Sequence, residues 1–305
     1  MLQLGLDIGG TKIEGLVLDA NGEQVFRKRI PTVKSSYQAF MDNLLTFIAD
    51  IRLTVGQPLS IGIGLPGAVD PVTDKIKNCN CLVLNGHDLW SDLIQALEQD
   101  VYIANDADCF ALSEAVDGAG ANGNTVFGVI VGTGCGGGMV VNRQLLMGPN
   151  AIAGEWGHNT LPGYDIQLDG VSQPCYCGKD NCIERFISGT GFTERFNQRL
   201  GSNLTAQEII AAAELGDGEA KGYYDHFIDA FGRSLASVIN VVDPHVIVLG
   251  GGLSNADAIY RDLPKAVEKY VFSKHCNTQI VKAKFGDSSG VRGAAWLPSM
   301  HAEAA

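Results

Sequence analysis

Three groups of residues in this 305-residue chain have types and spacings that could do chemistry. Asp7-Ile-Gly-Gly-Thr-Lys12 and Gly132-Thr-Gly-Cys-Gly-Gly-Gly138 each set bare backbone N–H groups beside a threonine hydroxyl. Such groups cradle phosphate oxygens, because glycine lets the backbone approach without a Cβ clash. Neither is a Walker A loop, since no Gly-Lys-Ser/Thr follows a four-residue spacer. A third glycine run, Gly250-Gly251-Gly252, follows the apolar run His245–Leu249 and precedes a helix. That order places amides at the carboxyl end of a strand, where ligands bind in open α/β sheets.

Asn105-Asp106-Ala-Asp108 falls at a strand-to-helix junction. Asp106, near a helix N-terminus, stays ionised there and can take a proton from a hydroxyl, while Asp108 reads as an ordinary first-turn residue. Cys175-Tyr-Cys177-Gly-Lys-Asp-Asn-Cys182 holds three thiols within eight residues, one ligand short of a closed zinc set, and His158 supplies the fourth. Four filled positions leave no room for substrate, so this zinc is expected to be structural. Glu155 and Glu184 each lie close in sequence to one of those ligands. A loop locked by metal would orient such carboxylates toward the hydroxyls of a sugar. The remaining five cysteines, Cys79, Cys81, Cys109, Cys135 and Cys276, read as small apolar residues.

The elements that position these groups follow from periodicity. Leu2–Ile8 and Ile13–Asp19 alternate as strands around the first glycine turn, and Gln24–Ile30 follows the Asn21-Gly22 turn. Ser35–Val55 has helical spacing, Leu59–Leu65 reads as a buried strand, a helix over Asp88–Glu98 leads to a strand Val101–Ala104, and another helix starts near Asp106. Asp117–Asn124 has the composition of a linker. Strand Thr125–Val131, the second glycine turn and strand Met139–Asn142 then repeat the opening, which indicates an internal duplication. Helices near Thr205–Glu214 and Ala220–Val241, a strand His245–Leu249 and a helix from Asn255 complete the second half. A terminal helix, Ser288–Leu297, is expected to pack back on the first. The domains so read are 1–117 with 287–298, and 118–286.

Lys and Arg number 22 against 34 Asp and Glu, a formal charge of −12, which disfavours nucleic acid as a partner. An anionic substrate must then be held by backbone amides or a metal. Glycine at 38 residues is the strongest compositional deviation. With no apolar run long enough to span a bilayer and no basic leader before Asp7, the expectation is a soluble, cytoplasmic chain with no membrane partner.

Taken together, Asp7–Lys12, Gly64-Leu-Pro-Gly67, Asn105-Asp106-Ala107, Gly132–Gly138, Gly154-Glu-Trp-Gly-His158 and Cys175–Glu184 resemble the ROK (repressor, open reading frame, kinase) family over nearly the whole chain. The resemblance implies a duplicated ribonuclease H-like α/β fold of the actin and hexokinase type, ATP and Mg²⁺, a structural Zn²⁺, a hexose substrate and a homodimer. It implies Asp106 as catalytic base, and Gly67, Asn80, Asn105, Glu155, His158 and Glu184 as further sugar contacts. His158 would bind zinc through one ring nitrogen and sugar through the other. The implied nucleotide contacts run over Leu4, Gly5, Leu6, Asp7, Ile8, Gly9, Gly10, Thr11 and Lys12, then Thr133, Gly134, Cys135, Gly136, Gly137, Gly138 and Gly251, with Asp7 a carboxylate partner for Mg²⁺. Within the family, Ser113–Gly118, Cys175–Lys179, Phe186–Phe192 and Gly286–Trp296 are most similar to fructokinases of the mannofructokinase type, which implies D-fructose as substrate. N-acetylglucosamine kinases of the family share most of these motifs, and glucokinases share the core ones. A repressor of the family carries a helix-turn-helix before its first glycine turn, so the early Asp7 and the negative charge disfavour that reading.

Overall fold

The computed structural model describes residues 1–302. Strands β1 (Leu2–Ile8), β2 (Lys12–Leu18) and β3 (Gln24–Pro31) form a meander, followed by helix α1 (Tyr37–Val55) and strand β4 (Leu59–Leu65). A short hairpin, β5 (Ala68–Val69) and β6 (Ile76–Lys77), precedes helix α2 (Leu89–Leu97), strand β7 (Val101–Asn105) and helix α3 (Asp106–Val116). The second half opens with β8 (Thr125–Val131), β9 (Cys135–Val141) and β10 (Gln144–Leu145). Helices α4 (Ile166–Asp169), α5 (Glu184–Ile187), α6 (Gly189–Leu200), α7 (Ala206–Glu214) and α8 (Gly218–Val242) follow. Strand β11 (Val246–Gly250), helix α9 (Asp257–Glu268), strand β12 (Gln279–Lys282) and helix α10 (Ser289–Ala302) end the described chain.

The two main sheets run β3-β2-β1-β4-β7 and β10-β9-β8-β11-β12. In each, an antiparallel meander is followed by two strands added in parallel, so the halves are copies of one topology. This is the duplicated ribonuclease H-like fold. The first core sets Leu4, Leu6 and Ile8 of β1 against Phe40, Leu44 and Ile48 of α1. The second packs Phe227, Phe231 and Leu235 of α8 against Ile247 and Leu249 of β11.

A third cluster joins the halves, and it is built by helices α3 and α10 lying side by side. Helix α10 packs on β1 and β4, whereas α3, which belongs in sequence to the first half, packs on β8 and β9. Missing Cβ atoms permit this. An added Cβ at Gly62 would lie 1.9 Å from Ala294 O, and one at Gly293 would lie 1.6 Å from Cys109 O.

The Asp117–Asn124 linker is not a slack tether. Glu114, fully buried at the end of α3, accepts the Ala119 N–H at 2.8 Å. The same carboxylate accepts the Lys284 and Phe285 N–H groups at 3.0 and 3.3 Å and the Ser289 hydroxyl at 2.8 Å. Both places where the chain crosses between the halves are therefore tied to one side chain.

Candidate active site

Strand β7 ends where α3 begins, and Asn105 caps the helix: its side-chain oxygen accepts the Ala107 N–H at 2.8 Å. Its amide donates to Gly67 O at 3.0 Å, so Asn105 joins α3 to the loop after β4. Asn105 is thus engaged at both ends of its amide. An added Cβ at Gly67 would lie 2.9 Å from Cys79, so that glycine lets the loop close over the Cys79–Asn80 segment.

Asp106 occupies the first position of α3, half-buried, with Oδ1 on the Ala107 N–H at 2.8 Å. Burial pushes its carboxyl above the ordinary range, the charge of Glu155 adds to this, and the Ala107 N–H opposes it. Asp7, at the end of β1, is raised to about 6 by burial and then by Asp106 and Glu14, against Lys12 and Arg29. Asp108 is raised to about 7 by burial and then by Asp106 and Glu155. Its Oδ1 is buried without a hydrogen-bond partner among the described residues, so it is not the ordinary first-turn residue expected from sequence. Asp106 acts on Asp7 of the first half, and Glu155 of the second half acts on Asp106. The carboxylates meet between the halves.

The first glycine turn closes through Gly9 N–H on Lys12 O at 2.9 Å, and Thr32 braces it with bonds to Gly9 O and Thr11 O. Thr11 and Lys12 are exposed at its tip, and Asn80 lies alongside, its carbonyl 3.6 Å from an added Cβ at Gly10. Leu4, Gly5, Leu6 and Ile8 do not belong with these groups. The three side chains are fully buried in the first core, and Gly5 lies beneath α10, where a Cβ would be 2.1 Å from Val291 O.

The second glycine turn is shorter than the sequence suggests. Only Gly132, Thr133 and Gly134 form it, closed by Gly132 N–H on Gly134 O at 3.0 Å. Cys135–Gly138 already belong to β9. A Cβ at Gly138 would lie 2.8 Å from Ala107 O, one at Gly137 would lie 3.0 Å from Trp156, and one at Gly136 would lie 3.5 Å from the Ala107 Cβ. These glycines seat the first turn of α3 and the Trp156 ring on the strand. Cys135 is buried, and its N–H donates to Glu184 Oε2 at 2.9 Å. Glu184 thereby grips the glycine turn, and Gly134 is where it passes: a Cβ there would lie 2.7 Å from Oε2.

Gly251, with φ of 82°, brings its own turn against Val131 O, and the Gly189 N–H donates to Gly132 O at 2.7 Å. Gly132, Thr133, Gly189, Thr190, Gly252 and Leu253 line a cavity of about 780 Å³, a size that suits a nucleoside. Gly189 and Thr190 open α6; they lie within the Phe186–Phe192 motif but are not among the nucleotide contacts that the sequence implied. A signal was present in Ser188-Gly-Thr-Gly191, a capping serine before small residues.

His158, Cys175, Cys177 and Cys182 converge, their ligand atoms all within 4.8 Å of one another. His158 Nδ1 is 3.6 Å from Cys175 Sγ, and Cys177 Sγ is 3.5 Å from Cys182 Sγ. Tetrahedral zinc with Zn–S bonds of about 2.3 Å sets sulfurs about 3.8 Å apart, so the four residues fit this metal. His158 Nε2 points the other way, 3.8 Å from Glu155 Oε2 and 3.0 Å from the Tyr176 hydroxyl.

The ROK family model matches residues 3–300. The chain is 40% identical over 296 residues to an N-acetyl-D-glucosamine kinase of Yersinia enterocolitica, covering 96% of this chain and 98% of that one. It is also 40% identical over 299 residues to an N-acetyl-D-glucosamine kinase of Pectobacterium carotovorum, covering 97% and 98%. Among solved structures, the ROK hexokinase of Thermus thermophilus superposes with a TM-score of 0.88 at 27% identity over the whole of both chains. A ROK family glucokinase of Streptomyces griseus in complex with glucose and AMPPNP gives 0.72 at 26% identity over 97% and 98%. These two relatives are N-acetylglucosamine kinases, where the sequence motifs had implied a fructokinase. With the duplicated fold and the match across nearly its full length, the chain belongs to the ROK family and stands among its sugar kinases.

Proposed function

We propose that this protein transfers the γ-phosphoryl group of ATP to the 6-hydroxyl of a hexose, with N-acetyl-D-glucosamine as the substrate its relatives point to. The observation that carries the reaction class is Asp106, half-buried at the mouth between the halves, with no cationic partner among the described residues to quench it as a base. In the proposed reaction the 6-hydroxyl oxygen bonds to the γ-phosphorus and its proton passes to Asp106. The bond from phosphorus to the bridging oxygen breaks, and ADP leaves with the electron pair. Phosphoryl transfer has a loose transition state, so positioning and charge neutralisation carry most of the catalysis. Amides of the Gly9–Lys12 and Gly132–Gly134 turns serve the phosphates, and the cavity beside Gly189 and Gly252 takes the nucleoside. Mg²⁺ suits Asp7, a carboxylate that burial and then the charges of Asp106 and Glu14 hold above its ordinary range, and when bound with ATP it would neutralise the phosphate oxygens. Asn80, Asn105, Glu155, His158 and Glu184 are proposed to orient the sugar.

D-fructose is a second reading. It is favoured by Ser113–Gly118, Cys175–Lys179, Phe186–Phe192 and Gly286–Trp296, which resemble fructokinases. ADP release across N-acetylglucosamine, fructose, mannose, glucose and N-acetylmannosamine tests both. Highest kcat/KM on N-acetylglucosamine supports the first, highest on fructose the second, and no turnover on any hexose removes the kinase reading itself.

A further inference from the structure

A second cavity, of about 620 Å³, lies in the second half among α4, α6 and α8. Phe186 and Phe227 give it an aromatic lining, and Gln167, Gln173 and Gln198 add side-chain amides. Arg195, Arg199 and His226 line it too, in a chain whose formal charge is −12. The single carboxylate among its described lining residues is Asp169, which is buried and already engaged. It accepts from Arg233 Nη2 at 2.5 Å and from Arg233 Nη1 at 3.3 Å.

Arg195 leaves the cavity with positive charge that nothing cancels. Its guanidinium lies over the Phe186 ring, 4.4 Å from the centroid, and this contact fixes the plane of the fork. Nη2 donates to the Asp169 carbonyl oxygen, a neutral acceptor, and Nη1 is buried without a partner. No carboxylate pairs with Arg195 among the described residues. Arg199 meets Glu219 at 3.3 Å, but both side chains are exposed, and such pairs are weak and readily exchanged. A half-buried, unpaired guanidinium in a concave site attracts an anion. Helix α6 also connects this cavity to the one proposed for the nucleoside. Gly189 and Thr190 at its start line the nucleoside cavity, and Gln198 lines both. Phe186 stands two residues after Glu184, which accepts the Cys135 N–H beside the glycine turn.

We propose that this cavity is a regulatory site for a sugar phosphate, whose phosphate pairs with Arg195 and His226. The volume exceeds what a bare phosphate fills and suits a small organic ligand. The glutamine amides match sugar hydroxyls, and the aromatic lining matches the apolar face of a sugar ring. Occupation braces α6 and alters the nucleoside cavity at its other end, so the ligand changes the affinity for ATP. The proposal rests on the sugar-kinase reading above, since the product of that reaction is a sugar phosphate.

The test titrates the full-length protein by calorimetry with N-acetylglucosamine 6-phosphate, and separately with inorganic phosphate. Saturating N-acetylglucosamine and a non-hydrolysable ATP analogue are present throughout, so that the substrate sites are filled. Wild type should bind the 6-phosphate at one site per chain, more tightly than inorganic phosphate. Arg195→Gln and His226→Glu should each weaken it at least about tenfold, as expected for loss of a charge-assisted hydrogen bond. His226 is exposed, so its replacement leaves the fold intact even where that of Arg195 does not. In turnover assays the 6-phosphate should change wild-type ATP KM at least about threefold and that of His226→Glu far less, with kcat in its absence within about twofold of wild type. No binding to wild type with the substrate sites filled would overturn the proposal, as would equal binding by wild type and both variants. Inorganic phosphate binding as tightly as the 6-phosphate would overturn the sugar phosphate as ligand. Loss of binding that follows a changed oligomeric state in light scattering would overturn it too, assigning this surface to a second copy of the chain. A wild-type enzyme inactive on every hexose would instead mark failure of the function reading, with the calorimetric result still readable.

Discussion

Asp106 has Oδ1 on the Ala107 N–H, while Asp108, two positions on, keeps Oδ1 buried and unpaired among the described residues. Those surroundings give them different expected behaviour. Asp106→Asn removes the proton acceptor and preserves shape, so kcat should fall about 10²–10⁴-fold while sugar binding persists, as read by turnover and calorimetry. Retention of a tenth of wild-type kcat would exclude Asp106 as the base. Asp108 is raised to about 7 in the folded protein, against about 3.9 in an unfolded chain. Below pH 4 both states hold the proton. As pH rises from 4 to 7 the unfolded state releases this proton while the folded state keeps it, so wild-type stability declines over that window and levels off above it. Asp108→Asn lacks this penalty and should melt higher than wild type at pH 8, by on the order of 2 kcal/mol, with little gain at pH 4. Thermal denaturation at the two pH values decides it, and an equal gain at both would show that the carboxyl does not titrate as argued.

Strand β9 and the metal loop show how an element delivers a side chain. Gly138 lets the Ala107 carbonyl, and with it the first turn of α3, lie directly on the strand. Gly138→Ala should push that turn outward and lower kcat by at least about tenfold, with a smaller change in ATP KM, because misplacement of a catalytic group by a fraction of an ångström is costly. Steady-state kinetics with each substrate varied separates the two effects. The Cys175–Cys182 loop converges with His158 and leads straight into Glu184, whose Oε2 accepts the Cys135 N–H. Cys177→Ser should therefore lower zinc content, raise sugar KM more than ATP KM, and lower the melting temperature. Full activity and a wild-type melting point after complete chelation would contradict a structural zinc.

Across the whole molecule, α3 and α10 form the seam, and Glu114 ties both chain crossings to it. An interior carboxylate with four donors is well satisfied only while all four stay in place. The Glu114→Ala variant leaves three part-buried N–H groups and the buried Ser289 hydroxyl without their acceptor, so we expect a loss of about 2–4 kcal/mol in denaturant unfolding. Glu114→Gln, which keeps an oxygen but turns one acceptor into a donor, should lose less. A variant as stable as wild type would show that the crossings hold without this carboxylate. Among the described residues no helix is long and apolar enough to cross a membrane.

The sequence by itself determined whatever is encoded within a few residues. Alternation made the strands of both meanders legible, the repeated strand–glycine turn–strand order revealed the duplication, and Cys175-x-Cys177-x₄-Cys182 marked the thiol loop that converges with His158. The place of Asp106 at the end of β7 and the start of α3 was legible for the same reason, since a strand-to-helix junction is a local pattern. Tertiary structure alone decided which glycines serve a ligand. A missing Cβ announces that something comes close, but not whether it is a phosphate or another part of the chain. For Gly5 and Gly62 the neighbour is α10, more than 200 residues away in sequence, and for Gly136–Gly138 it is largely α3 and Trp156. The packing of α3 on the second sheet, the grip of Glu184 on the glycine turn and the Glu114 tie have the same origin. Each is a contact between distant segments, and no spacing within a segment can encode its partner.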